Sequence, residues 1–78
     1  MLTSAQCRAA RGLLDWSQQQ LADAAGVGVA TVRLFEAGKG DARRATLTVI
    51  EQSLQRAGVE FTNGDQAGVR LRKVGRKI

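Results

Sequence analysis

Ser17-Gln-Gln-Gln-Leu-Ala-Asp-Ala-Ala-Gly-Val-Gly-Val-Ala-Thr-Val-Arg-Leu-Phe-Glu-Ala-Gly-Lys39 reads as two short helices joined by a three-residue turn. Ser17 and Gln20 have the spacing of a capping box, in which the hydroxyl accepts from the amide of the third helical residue and the Gln side chain returns the bond. A helix is therefore expected over 18–25. Trp16, just before the cap, and Leu21 have the spacing of a hydrophobic staple, which sets the angle at which the chain enters the helix. Ala22 and Ala25 keep the inner side thin. Gly26 stops the helix, because glycine takes the left-handed conformation at little cost. Val27 follows as an apolar plug in the turn, and a second helix is expected over 29–37. Val32, Phe35 and Glu36 form its inward face at spacings of three and four, and Gly38 ends it.

Two helices joined by so tight a turn cross steeply, and the second stands out from the body as a ridge. That corner is the helix-turn-helix, whose second helix fits the major groove of duplex DNA. The pattern Gln18, Leu21-Ala22, Gly26-Val27, Thr31-Val32, Glu36 and Gly38 resembles the phage repressor and Cro type of helix-turn-helix, the XRE family of bacterial regulators. The alternative for the same stretch is an ordinary helical hairpin in a small bundle.

The 78 residues make one domain, of a size at which a single core stabilises only marginally and dimerisation helps. With 44% hydrophobic residues, 24% charged and no proline, the chain is expected to fold rather than stay disordered. Cys7 is the only cysteine, so no internal disulfide is possible and a reducing cytosol suits it. Its plain reading is a small buried apolar residue. No apolar run reaches the length of a membrane span or a signal peptide, so a soluble cytoplasmic protein is expected. There is no histidine, no tyrosine and no cysteine pair. None of the carboxylates falls in an acid-base or metal constellation, so neither catalysis nor a metal nor a cofactor is expected.

The net charge of +5 is unevenly placed. Seven basic and seven acidic residues cancel between Met1 and Ala67, and the other five basic residues are Arg70, Arg72, Lys73, Arg76 and Lys77. Such an end is an electrostatic footprint for phosphates, although basic tails are also often merely solvated.

Outside the motif, Thr3 and Gln6 form a second capping box, with Leu2 and Cys7 at staple spacing, and a helix is expected over 4–14. Cys7, Ala10, Leu14 and Leu13 give it an inward face. Arg11 lies on or beside that face, where a charge needs a partner, and Glu36 on the third helix is the partner expected. The resemblance implies the same, since the family commonly ties its first helix to the end of its recognition helix by a buried arginine-glutamate pair. The alternative is two solvated surface charges. A polar loop with Arg43 and Arg44 leads to a fourth helix over about 46–57, starting near Ala45 or Thr46, with Leu47, Ile50 and Leu54 toward the core and Gly58 as its stop. Val49 lies off that stripe.

From Val59 the period of the apolar residues changes to two, and 59–74 reads as a two-strand extension followed by a basic tail over 75–78. Asn63-Gly64 invites a two-residue hairpin turn. Parity argues against it, because that turn would put Val69 and Leu71 on the face opposite Val59 and Phe61. Pairing Phe61 with Val69 and Val59 with Leu71 keeps all four together and leaves a loop from Thr62 to Gly68. So small a ribbon must pack on the helices or on a second subunit. The expected architecture is mainly α, a four-helix repressor-like domain with a helix-turn-helix and a short C-terminal β-ribbon.

Position by position, the resemblance implies that Ser17, Gln18 and the amides opening the second helix hold a phosphate of double-stranded DNA, a use of the helix N-terminus that its dipole also favours. Lys39, Arg43 and Arg44 are placed for phosphates on the far wall of the groove. The base-facing residues are Val29, Ala30, Thr31, Arg33 and Leu34, with Gly28 and Ala37 on the same exposed face. This face departs from the family's usual polar one: Arg33 alone can make the bidentate contact to guanine, and Val29, Ala30 and Leu34 can touch thymine methyl groups. The function expected is a homodimeric regulator, most simply a repressor on a near-palindromic operator. The alternative is a protein-interaction module, an antitoxin or anti-activator, whose helix-turn-helix or ribbon captures a protein partner.

Overall fold

Each helix owes its limits to local chemistry. Thr3 caps the first, α1 (Ser4–Leu14): the Thr3 hydroxyl accepts from the Gln6 amide, and Gln6 Oε1 accepts from the Thr3 amide, both at 3.0 Å. Ser17 and Gln20 repeat this arrangement at the start of α2 (Gln18–Ala25). The third and fourth helices, α3 (Val29–Glu36) and α4 (Arg44–Arg56), open without a side-chain cap. Strands β1 (Val59–Asn63) and β2 (Ala67–Leu71) follow as one antiparallel pair. This computed structural model describes residues 2–40, 42–63 and 67–72.

Helices α1, α2 and α3 end in the same two-bond turn. The amides of Trp16, Val27 and Lys39 donate to the carbonyls of Arg11, Ala22 and Leu34, while those of Asp15, Gly26 and Gly38 donate one step inside. The turn residue is left-handed each time, with φ of 59° at Asp15, 72° at Gly26 and 76° at Gly38. Glycine suits this conformation and aspartate tolerates it. The third helix closes at Glu36, so Ala37 belongs to the turn rather than to the helix.

Two further expected boundaries change. The fourth helix begins at Arg44 instead of Ala45 or Thr46, because Arg43 takes the extended capping conformation (φ −71°, ψ 151°) and Arg44 and Ala45 are good helix formers. The ribbon is also longer than the parity argument required. Its register pairs Val59 with Leu71 and Phe61 with Val69, and continues through Thr62 with Gly68 and Asn63 with Ala67. The strands thereby extend to Asn63 and Ala67, beyond the limits at Thr62 and Gly68 that parity alone set. Glycine at 68 permits this, since a Cβ there would lie 3.0 Å from Thr62 Oγ1. Helix α1 contributes as well: the buried Gln6 side-chain amide donates to the carbonyls of Thr62 (3.3 Å) and Gly68 (3.2 Å), clasping both strands. The expected end of the strand extension at Val74 and the basic tail fall outside the described residues.

The core collects Leu2, Cys7 and Ala10 beside α1, Leu21 and Ala22 of α2, Val32 of α3, Ile50 and Leu54 of α4, and Val59 of β1. Alanines at 10 and 22, fully buried, let the helices approach closely. Trp16, Val27, Phe35, Phe61 and Val69 pack around this centre. Leu13 lies outside it, 40% exposed, and so does Val49 at 37%. The fold is mainly α, four helices and one short antiparallel ribbon.

Candidate nucleic-acid interface

Helix α3 is bonded to its neighbours on one side and exposed on the other. Its attachment centres on Glu36, 3% exposed. Arg11 of α1 grips the carboxylate with two prongs, Nε to Oε2 at 2.7 Å and Nη2 to Oε1 at 2.6 Å, and its remaining nitrogen donates to the Trp16 carbonyl at 2.9 Å. The Gln18 amide of α2 donates to Oε1 at 3.1 Å, and the Cys7 thiol donates to Oε2 at 3.1 Å. Each carboxylate oxygen thus accepts two bonds, which is what a buried charge requires.

Helix α1 also closes the C-terminal end of α3. Ser4 Oγ donates to the Phe35 carbonyl at 2.8 Å, and the Arg8 guanidinium donates to the Glu36 carbonyl. A cation at this end also suits the helix dipole. Ser4, Cys7, Arg8 and Arg11 stand at positions 0, 3, 4 and 7 of one helix and so form one stripe, with every member bonded to Phe35 or Glu36. Of this stripe, sequence reasoning paired only Arg11 with α3 and placed Cys7 on the inward face without a polar partner. The spacing was the available signal, because once Arg11 faces α3 the residues three, four and seven positions earlier must face it too.

The electrostatics follow from the geometry. Burial works to raise the Glu36 pKa, but the hydrogen bonds from Arg11, Cys7 and Gln18 and the Arg11 charge outweigh it and hold the carboxyl below its ordinary value. The bond to Glu36 raises the already high pKa of Arg11, against its partial burial. Burial, then the neighbouring carboxylate, push the Cys7 thiol far up, so it stays protonated and unreactive.

The opposite side of α3 is free. Ala30, Thr31, Arg33 and Leu34 are exposed, as are Gly28 and Ala37 at its two ends. Val29 is only half-exposed and packs on the core, which leaves it a smaller contact surface than its neighbours. Ser17 is exposed, with its oxygen accepting from the Gln20 amide at 3.0 Å. Gln18 is half-buried, turned toward Glu36 rather than wholly outward. Its amide nitrogen carries a second hydrogen for another acceptor. Lys39, Arg43 and Arg44 are exposed, and none pairs with a carboxylate among the described residues. Lys39 shares a small hollow with Thr31 and Leu34, so the loop after α3 and the free face of α3 form one continuous surface. An exposed helix face followed by exposed cations that pair with no carboxylate among the described residues has the form of a duplex-binding surface.

A family model described as Helix-turn-helix matches residues 8–61. The chain belongs to the XRE-type helix-turn-helix family. The matched span of this XRE-type protein runs from the middle of α1 into β1 and contains all of α2, α3 and α4. It is a DNA-binding transcriptional regulator of that kind. No curated protein matches it. No group of side chains that could hold a metal ion occurs among the described residues of the regulator, and none of its helices there is long and apolar enough to cross a membrane.

Proposed function

We propose that the protein is a homodimeric repressor that binds a near-palindromic operator and blocks the promoter it covers. The observation that carries this reading is the two-sidedness of α3, bonded to α1 and α2 through Glu36 and exposed along Ala30, Thr31, Arg33 and Leu34. In this reading Val29, Ala30, Thr31, Arg33 and Leu34 face base edges, and Arg33 donates to guanine. Ser17, Gln18 and the first amides of α2 hold one phosphate, while Lys39, Arg43 and Arg44 hold phosphates across the groove. Arg11 and Glu36 serve as the structural pair that fixes the angle of the reading helix. Exposed Leu13, Val49 and Leu71 offer apolar surface to a second copy. The setting is the cytoplasm, with the protein on the nucleoid when bound, and no catalysis is involved.

The test is a mobility-shift assay on the DNA upstream of the coding sequence, followed by selection of bound duplexes from a random pool and a mass measurement in solution. A shifted band that fades as salt rises, from a particle of twice the chain mass, is the expected result. A well-folded dimer that ignores every duplex in dilute salt overturns the proposal. One observation favours a second reading, a protein-interaction module of the antitoxin or anti-activator kind: Leu34, in the middle of the free face, is 51% exposed. The same assay separates the two.

A further inference from the structure

Ala30, Arg33, Leu34 and Ala37 fall at spacings of 0, 3, 4 and 7, so they make one stripe along the free side of α3 and the turn after it, and all four are exposed. Arg33 is the one hydrogen-bonding side chain in that stripe. Leu34 is the largest apolar group there, 51% exposed. Its seat is defined by the following loop: a Cβ on Gly40 would lie 3.9 Å from Leu34 Cβ, and Leu34 borders a hollow of about 140 Å³ together with Thr31, Phe35, Lys39 and Ala42.

A half-exposed leucine gains free energy by covering another apolar group. It loses free energy when it strips water from a polar edge without replacing the hydrogen bonds. The major-groove edges of base pairs present nitrogen and oxygen atoms, and the apolar feature among them is the C5-methyl group of thymine. Exposed Arg33 next to Leu34 on the helix, and exposed Lys39 on the rim of the same hollow, add positive charge that complements a phosphate-lined groove. We infer that Leu34 determines specificity by reading a pyrimidine C5-methyl in the major groove, so that the preferred site needs thymine at that place and distinguishes 5-methylcytosine from cytosine there. This rests on the DNA-binding reading above and names the chemical group which that surface recognises.

Two comparisons change the methyl group alone, thymine against deoxyuridine and 5-methylcytosine against cytosine. The full-length protein is titrated by fluorescence anisotropy against a duplex selected from a random pool and against versions with each thymine replaced singly by deoxyuridine. At the position under Leu34, loss of the methyl should weaken binding about fourfold, the factor for roughly 0.8 kcal/mol per buried methyl-sized group. At that position a 5-methylcytosine·guanine pair should bind more tightly than cytosine·guanine by a similar factor. Leu34→Ala should bind thymine and deoxyuridine duplexes alike, and Leu34→Met should keep the difference. If the wild-type protein binds the duplexes but never distinguishes deoxyuridine from thymine, the inference is overturned and DNA binding stands. If Leu34→Ala keeps the full discrimination, the role of Leu34 is overturned. Failure to bind any duplex in dilute salt overturns both readings, and leaves a protein as the occupant of the stripe.

Discussion

Gln18 at the start of α2 and Glu36 at the end of α3 are joined by a 3.1 Å hydrogen bond that spans the corner of the helix-turn-helix. The same carboxylate takes both prongs of Arg11, so three helices share one buried anion. Arg11→Ala would leave Glu36 with two weaker donors and no cation. Chemical denaturation should report a loss of about 3 kcal/mol, in the range for breaking a buried ion pair. A loss below about 1 kcal/mol would mean that the pair contributes little to stability.

Acid should act through the same group. Glu36 has a folded-state pKa below its ordinary value of about 4.3, so the unfolded chain binds the proton more readily. Its contribution is complete above that ordinary value and disappears as pH falls through the lower folded-state value. Denaturation midpoints should therefore decline below about pH 4.3, and Glu36→Gln, less stable at neutral pH, should decline less steeply. Parallel pH profiles for the two proteins would remove Glu36 from the acid response.

The corner itself depends on Gly26, where φ is 72°. Nothing lies within 4 Å of a Cβ placed there, so Gly26→Ala meets conformational cost without steric clash. The expected destabilisation is about 1 kcal/mol, the scale of forcing an L-residue into the left-handed region. Thermal melts of the variant check it, and an unchanged midpoint would show that the turn adapts.

Ser53 presents the opposite situation. Its hydroxyl is buried in α4 with no hydrogen-bond partner among the described residues. Ser53→Ala removes the unsatisfied group and places a better helix former at the site, so stability should rise by about 1 kcal/mol. A comparable fall in the denaturation midpoint would reveal a bond made by that hydroxyl.

Arg33 and Lys39 are both exposed, and their expected roles differ. Arg33→Ala should lose about 1 to 3 kcal/mol of discrimination at one G·C pair, whereas Lys39→Ala should weaken all duplexes alike and flatten the salt dependence. Titrations over a panel of site variants at several salt concentrations distinguish these patterns. Uniform weakening by Arg33→Ala would remove it from base reading.

Much of this molecule is legible in its residues because the deciding interactions are short. The boxes at Thr3 and Ser17 close over three residues, the glycines at 26 and 38 act on their own φ, and the strand register follows from an alternation that a slip of one residue would invert. The helix-turn-helix pattern is legible for the same reason, since both of its helices and the turn lie within one stretch. Other features depend on partners far along the chain. Ser4, Cys7 and Arg8 find α3 about thirty residues away, Gln6 reaches the ribbon across the body, and Gln18 turns inward because the Glu36 carboxylate waits there. Val29 is half-covered for a similar reason, the core closing over the start of α3. Periodicity assigns a residue to a face of its own helix, but which atoms wait opposite that face depends on how the helices cross. Caps, stops, register and family were therefore settled by local chemistry, and the satisfied carboxylate that aims α3 came into being only when three helices met.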